Sequence, residues 1–211
     1  MTSNRGNKTG AFSLRAWLKR LEETDRLAIA RPGLSLRYEI AAVAKRLDGR
    51  KASLFPRAGG QDGTVISGLL SDRNWMAEAL GVAPSDLLAH FERASAEPLP
   101  WQEVTEAPAQ EVVHRDVDIP ALLPVPTHNE HDSGPYITAG ILVSRNPDTG
   151  IQNVTIHRCQ VNGGNRIGAL ILQRHTDHYY RKAEARGRPL EIAIAIGVEP
   201  ACLLASQAIV G

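Results

Sequence analysis

The stretch that decides the fold is residues 153–175, NVTIHRCQVNGGNRIGALILQRH. It predicts two strands joined by a tight turn at 162–165, because Asn and Gly tolerate the positive φ angles of a short hairpin loop. Side chains that can bind ligands interrupt its apolar residues: Asn153, Thr155, His157 and Arg158 come first, and Arg174 and His175 close the second strand. Spacing alone leaves two interpretations open, a hairpin with one solvated face and a hairpin that carries a binding site.

The strands around this hairpin predict an antiparallel meander or barrel rather than a doubly wound sheet. YITAGILVSR at 136–145 predicts a strand, and NPDTG at 146–150 has the proline and glycine of a turn. Residues 151–161 return as its partner, and 166–172 follow as a third strand.

Further along, the pattern predicts a helix at 176–186, ended by Gly187. The run at 190–196 predicts a strand buried on both faces, and a helix follows at 199–206. The sequence then stops on Ile209, Val210 and Gly211. Because apolar side chains need something to pack against, we expect the chain to be part of something longer.

The preceding region predicts a small α/β unit that serves as scaffold. Apolar residues at helical spacing follow Ser13, which can cap the first turn. Further helices are predicted at 38–47, 72–80 and 84–94, with short strands at 27–30, 53–55 and 64–68. The expected division is a mobile tail at 1–11, an α/β domain at 12–94, a proline-rich linker at 95–115 and a second domain at 116–211.

Composition excludes several classes of function. Twenty-four basic and twenty-three acidic residues give a net charge of +1, which offers no electrostatic footprint for nucleic acid. The polar N-terminus lacks a signal peptide, and no apolar run is long enough to insert into a membrane. We expect a soluble, cytoplasmic protein in which Cys159 and Cys202 are reduced and buried.

Four residues that could bind a metal lie within five positions, at His128, Glu130, His131 and Asp132. In a loop that continues with Ser-Gly-Pro, such a cluster is more typical of a polar lip or a pocket lining than of a complete coordination shell.

Three segments in order carry a resemblance to a known family: YEIAAVAKRLDG at 38–49, DVDIPALLPVPTHNEHDSGPYITAGILVSRNPDTGIQNVTIHRCQV at 116–161, and HTDHYYRKAEARGRPLEIAIAIGVEPACLLAS at 175–206. They resemble the N-terminal and central parts of UbiD-type decarboxylases. The resemblance implies an α+β chain in which a small N-terminal α/β domain precedes a flavin-reductase-like split β-barrel, incomplete here. It also implies prenylated FMN as the cofactor and a reversible decarboxylation of aromatic, heteroaromatic or α,β-unsaturated acids.

The resemblance also assigns roles to residues. Asn153 matches the family's cofactor-binding asparagine, and Arg158 matches its catalytic arginine, which also contacts the cofactor. The remaining matches with the cofactor site are Thr155, Ile156, His157, Arg174 and His175. Asn153 and His175 would ligate Mn²⁺ or another divalent ion, with K⁺ as a candidate second cation, because hard cations accept amide oxygen and tolerate imidazole.

In full-length members, the remaining metal-binding glutamate and the catalytic acids lie beyond the position of Gly211. The resemblance therefore implies that this chain supplies the cofactor-binding half of a site. The implied partners are a small aromatic or unsaturated acid, a flavin prenyltransferase as the cofactor source, and further copies of the full-length chain. Two alternatives stay open, a non-catalytic flavin-binding remnant or partner subunit and a purely structural fragment.

Overall fold

The computed structural model describes residues 13–208. The predicted tail at 1–11 and the apolar end at 209–211 therefore lie outside the described residues. The helices are α1 (Leu14–Glu23), α2 (Glu39–Leu47), α3 (Arg73–Leu80), α4 (Leu87–Ala96), α5 (Ile119–Leu122), α6 (His175–Glu184) and α7 (Pro200–Ala205). The strands are β1 (Leu27–Ile29), β2 (Ala52–Phe55), β3 (Val65–Ser67), β4 (Tyr136–Ile137), β5 (Ile141–Arg145), β6 (Gln152–Ile156), β7 (Cys159–Val161), β8 (Ile167–Ala169) and β9 (Ile192–Ala195).

The first region is a three-stranded sheet covered by helices. β2 lies between β1, which runs parallel to it, and β3, which runs antiparallel. Ser13 Oγ accepts a hydrogen bond of 3.1 Å from the Ala16 amide, so the predicted cap of α1 is confirmed. Gly81 ends α3 with a φ of +69°, a conformation that favours glycine.

Two apolar clusters hold this region together. One contains Trp17, Leu21 and Trp75, and the other surrounds Phe55 and Ile40. Trp17 Nε1 donates a hydrogen bond of 3.0 Å to the Leu69 carbonyl, which satisfies the indole inside the core.

The second region contains two antiparallel sheets of three strands, with the orders β4-β7-β8 and β6-β5-β9. The antiparallel, mixed α+β prediction is confirmed, and residues 13–208 contain no closed barrel. The hairpin at 162–165 is also confirmed, because β7 and β8 pair directly and Gly163 and Gly164 have positive φ angles.

Two predicted strands are each divided between the sheets. The strand predicted at 136–145 is interrupted at 138–140, and the one predicted at 151–161 is interrupted at His157 and Arg158. Gly140 permits the first transition, since a Cβ there would lie 2.9 Å from Ile194 Cγ2. The chain therefore changes sheet beside the residues expected to form the site.

Three further expectations were wrong in detail. β9 is not buried on both faces, because it is an edge strand beside β5 and Ile192 is 48% exposed. The prolines at 120, 124 and 126 predict an extended connector over 116–126, but residues 119–122 form α5, because Pro120 is compatible with the first turn of a helix. Both cysteines are free as expected, but only Cys159 is buried, and Cys202 is exposed.

None of the helices in the part of the chain that the structure describes is both long enough and apolar enough to cross a membrane.

Candidate functional site

Strand β6 presents two of the predicted site residues on one face. Asn153 and Thr155 alternate with Val154, so their side chains leave the same side of the sheet, and Ile156 faces the other side. On the neighbouring strand β5, Ser144 pairs with Asn153 and Leu142 pairs with Thr155, and both partners are buried. α6 packs against β5, which brings the start of that helix close to this part of the sheet.

Thr176, in the first turn of α6, is the residue at which the site converges. It is 2% exposed, and its Oγ1 lies 3.0 Å from Asn153 Nδ2 and 3.2 Å from His157 Nε2. Two residues of the 153–158 stretch are thus joined to a helix more than eighteen positions away in the sequence.

His157 and Arg158, at the break between β6 and β7, are held from a second direction. His157 Nδ1 lies 3.0 Å from the Leu170 carbonyl, and the Leu170 amide donates a 3.3 Å hydrogen bond to the Arg158 carbonyl. The amide and the carbonyl of Leu170 therefore hold the segment after β8 against the residues between β6 and β7.

The prediction that Arg174 and His175 close a strand is wrong. β8 ends at Ala169, Arg174 is the extended residue before α6, and His175 is the first helical residue. Both side chains are exposed, and His175 directly precedes the buried Thr176. The structure therefore brings His175 and Asn153 to the same end of α6 by a different local route from the one predicted.

Arg158 lies on a cleft of about 290 Å³. The cleft is lined by Tyr136, Arg158, Gln160, Gly168, Ala169 and Leu170. Arg158 is exposed and forms no ion pair with any carboxylate of residues 13–208. Its guanidinium is thus available to a ligand anion, which it can bind through two parallel hydrogen bonds.

The start of α6 has the properties of an anion-binding site. No side chain caps the helix, and its first backbone hydrogen bond runs from the His178 amide to the Arg174 carbonyl at 2.9 Å. The amides of 175–177 consequently have no acceptor within the helix, and they point from the positive end of its dipole. A phosphate group fits such a helix end.

The donor set also suits a hard cation. Asn153 Oδ1 has no hydrogen-bond partner among the described residues, whereas its Nδ2 is engaged with Thr176. An amide oxygen beside an imidazole and a phosphate is a reasonable ligand set for Mn²⁺ or a similar ion. The residues present therefore fit a phosphorylated cofactor bound with a divalent cation.

The cluster at 128–132 forms a polar turn. Glu130 and His131 are exposed, with Glu130 Oε1 and His131 Nε2 3.6 Å apart, and Asp132 accepts a hydrogen bond of 2.9 Å from the Asn129 amide. His128 lines a separate apolar cavity of about 260 Å³ between the two regions. Across residues 13–208, no group of three or more His, Cys, Asp or Glu side chains is arranged to hold a metal ion.

Sequence reasoning missed Thr176 and the Leu170 carbonyl. Thr176 could have been identified, because a hydroxyl directly after His175 in a helix's first turn can turn toward a neighbouring strand. The role of Leu170 belongs to its backbone, and no side-chain pattern signals it.

The site combines groups that suit a phosphate, a hard cation and a ligand anion, and comparison with known proteins identifies the family. Residues 18–95 match the 3-octaprenyl-4-hydroxybenzoate carboxy-lyase N-terminal domain, and residues 102–211 match the Rift-related domain of the same carboxy-lyase. The chain therefore belongs to the UbiD family.

Several relatives are decarboxylases. Anhydromevalonate phosphate decarboxylase from Methanothermobacter thermautotrophicus is 41% identical over 142 residues, which are 67% of this chain and 33% of that protein. Gallate decarboxylase from Lactiplantibacillus plantarum is 30% identical over 148 residues, 66% of this chain and 30% of that protein.

Among solved structures, the UbiD-class enzyme HmfF from Pelotomaculum thermopropionicum in complex with FMN is 46% identical, with a TM-score of 0.91. The match covers 94% of this chain and 45% of that one. The chain thus spans less than half the length of each of these relatives.

Proposed function

We propose that this chain supplies the prenylated-FMN-binding half of a UbiD-type decarboxylase. The substrate class is an aromatic, heteroaromatic or α,β-unsaturated carboxylic acid, from which the enzyme removes, or to which it reversibly adds, a carboxyl group. The observation that carries the proposal is the convergence of Asn153 and His157 on Thr176 at the uncapped start of α6.

In this proposal the cofactor phosphate lies at the start of α6, where three amides lack acceptors within the helix. Asn153 Oδ1 and His175 would hold a Mn²⁺ ion, or another divalent ion, which would neutralise charge on the phosphorylated cofactor. Thr155, which shares the face of Asn153, lines the rest of the cofactor site with His157 and Arg174, and Ile156, whose side chain faces the other side of the sheet, contributes its backbone. K⁺ is a candidate second cation.

We assign to Arg158 the role of binding the substrate carboxylate. Its planar, permanently charged group can hold a carboxylate in one orientation while the bond to the carboxyl carbon breaks. When bound, the prenylated flavin supplies the electron-accepting chemistry, and the protein contributes binding, orientation and exclusion of water. A proton donor is also required, and we assign it to the part of the full-length relatives that this chain does not span.

We further propose that residues 116–211 form the flavin-reductase-like split-barrel domain, that 12–94 form the N-terminal α/β domain and that 95–115 link them. The full-length protein would be a cytoplasmic homo-oligomer that receives its cofactor from a flavin prenyltransferase.

The test is to express the longest natural form of the protein with a flavin prenyltransferase and to measure flavin absorbance and carbon dioxide release from a panel of such acids. Replacing Arg158 by Ala should lower the rate by about 10³-fold, since an orienting contact of this kind contributes several kcal/mol to the transition state. Flavin absorbance should persist in this variant.

The alternative is a flavin-binding remnant or partner subunit with no chemistry of its own. It is favoured by the lack of any carboxylate paired with Arg158 among residues 13–208. Tight flavin binding without carbon dioxide release from any acid of the panel would support the remnant. A protein that acquires no flavin at all would contradict both.

A further inference from the structure

The contacts of Thr176 fix the direction of every proton in a short chain of hydrogen bonds. The chain runs from the Leu170 carbonyl through the His157 ring and the Thr176 hydroxyl to the Asn153 amide, with heavy-atom distances of 3.0, 3.2 and 3.0 Å. Because Thr176 is buried, water does not compete readily for its hydroxyl group.

The direction follows from the acceptor at one end. A carbonyl oxygen can only accept, so His157 Nδ1 must carry the proton that lies between it and Leu170. In the neutral ring Nε2 is then an acceptor, and the Thr176 hydroxyl must donate to it.

This arrangement determines the orientation of the Asn153 amide. The single hydroxyl proton of Thr176 is used by His157, so Thr176 Oγ1 can only accept from Asn153, and the amide group that faces it must be Nδ2. A flipped amide would set two oxygens against each other with no proton between them. Asn153 Oδ1 is therefore turned away from Thr176.

We infer that Thr176, held by His157, is a positioning residue that keeps Asn153 Oδ1 directed toward the cation of the cofactor site. The inference rests on the proposed function for the cation, and on hydrogen bonds within the described residues for the orientation. Partners that orient a ligand in this way typically change metal affinity by about 10–100-fold when they are lost.

The first test needs no cofactor. In the ¹⁵N-labelled 211-residue chain, long-range ¹H–¹⁵N spectra at about pH 8, where a free imidazole is neutral, report which ring nitrogen of His157 is protonated. We expect the Nδ1–H form. The Nε2–H form would overturn the inference, because the Thr176 hydroxyl proton would then not be committed to His157, and nothing would fix the orientation of the Asn153 amide.

The second test measures the cation. Electron paramagnetic resonance of MnCl₂ titrated into the FMN-loaded protein gives the fraction of bound Mn²⁺ for three variants. Thr176→Val removes the hydroxyl with little change in shape, Thr176→Ser keeps it, and Thr105→Val makes the same change at an exposed position elsewhere. We expect Mn²⁺ affinity about 10–100-fold weaker in Thr176→Val only.

Equal Mn²⁺ affinity in Thr176→Val and Thr176→Ser would overturn the positioning role. If Thr176→Val unfolds, the Thr176→Ser variant and the tautomer measurement still decide the question. If the parent protein binds neither FMN nor Mn²⁺, the proposed function fails. The proposed role of Thr176 in positioning a cation ligand then fails as well. The measured tautomer of His157 separately tests the series of hydrogen bonds from Leu170 to Asn153.

Discussion

The two regions of the molecule use their polar and aromatic residues in opposite ways. In the first region, the Arg26 guanidinium lies between two indoles, 5.8 Å from the ring centre of Trp17 and 5.3 Å from that of Trp75. Glu78 completes the group by accepting hydrogen bonds of 2.6 and 2.9 Å from Arg26. Arg26 and Glu78 therefore pair with each other within the first region.

In the second region, a buried hydroxyl and an exposed arginine lack partners among residues 13–208. Thr176 and Ser144 are buried, Ser144 Oγ has no hydrogen-bond partner, and Leu172 is 61% exposed. Arg158 has no carboxylate within ion-pair distance among residues 13–208. This difference indicates that the Arg26–Glu78 pair stabilises the first region, whereas Arg158 in the second region is available to bind a ligand.

The largest expected effect is the loss of the first region's core. Replacing Trp17 by Ala should reduce the free energy of unfolding by about 3–5 kcal/mol, because it removes a fully buried indole and leaves a cavity. Urea denaturation of the 211-residue chain measures this change.

The matched control is Trp101→Ala. Trp101 is 57% exposed and stacks on Arg145 with 5.1 Å from the guanidinium carbon to the ring centre, so about 0.5–1 kcal/mol should be lost. Equal effects of the two substitutions would remove the contrast between a packed indole and a surface one.

Ligand addition should act mainly on the second region. FMN at a hundred times its Kd should stabilise the folded chain by about 2.7 kcal/mol. The amides of 175–177, which lack acceptors in α6, should exchange their hydrogens more slowly because the phosphate would accept from them.

The first turn of α4 provides a comparison, since it also lacks a side-chain cap but belongs to the first region. Its exposed amides should keep their exchange rates when FMN is added. Equal slowing in the first turns of both helices would contradict a binding site confined to the second region.

The two regions also differ in how well sequence patterns predicted them. The helix start at Ser13 was recognisable because capping is local, and the Ser13 side chain accepts the expected amide hydrogen bond. The turn at 162–165 was equally recognisable, because its glycines meet a local conformational requirement.

Sequence patterns did not predict which strands pair or which elements pack together over long distances in the sequence. The strand that changes sheet at 157–158 was predicted as one continuous strand, since no Pro or Gly marks the change, although the apolar positions shift there from 154 and 156 to 159 and 161. β9 reads as buried because an apolar run does not reveal that one of its edges is unpaired. The site residues were assigned by resemblance, and only the packing of α6 on β5 brought Thr176 to Asn153.

The ion pair of the first region predicts a dependence of stability on pH. Hydrogen bonds from Arg26 hold the pKa of the Glu78 carboxyl below its usual range, with burial opposing them and Arg20 adding to them. Because the pKa is lower in the folded state, this stabilisation is present above the usual glutamate pKa and is lost as pH falls through the folded value.

Glu78→Gln should therefore reduce the free energy of unfolding by about 1 kcal/mol near neutral pH, since the pair is partly exposed and screened. The difference from the parent chain should shrink as the pH falls below the usual glutamate range. Urea denaturation at a series of pH values measures it, and a difference that stayed constant down to acid pH would show that packing, not charge, is the cause.

The smallest effect is expected at the exposed edge of the second region. Ile192→Thr keeps a β-branched residue on β9 and removes apolar surface that is already 48% exposed, so the free energy of unfolding should change by less than about 0.5 kcal/mol. The same substitution at Ile40, buried in the first region, should cost several times more. Urea denaturation of both variants provides the comparison, because a large loss at Ile192 would mean that the edge of β9 contributes to the stability of the chain as much as the first region's core does.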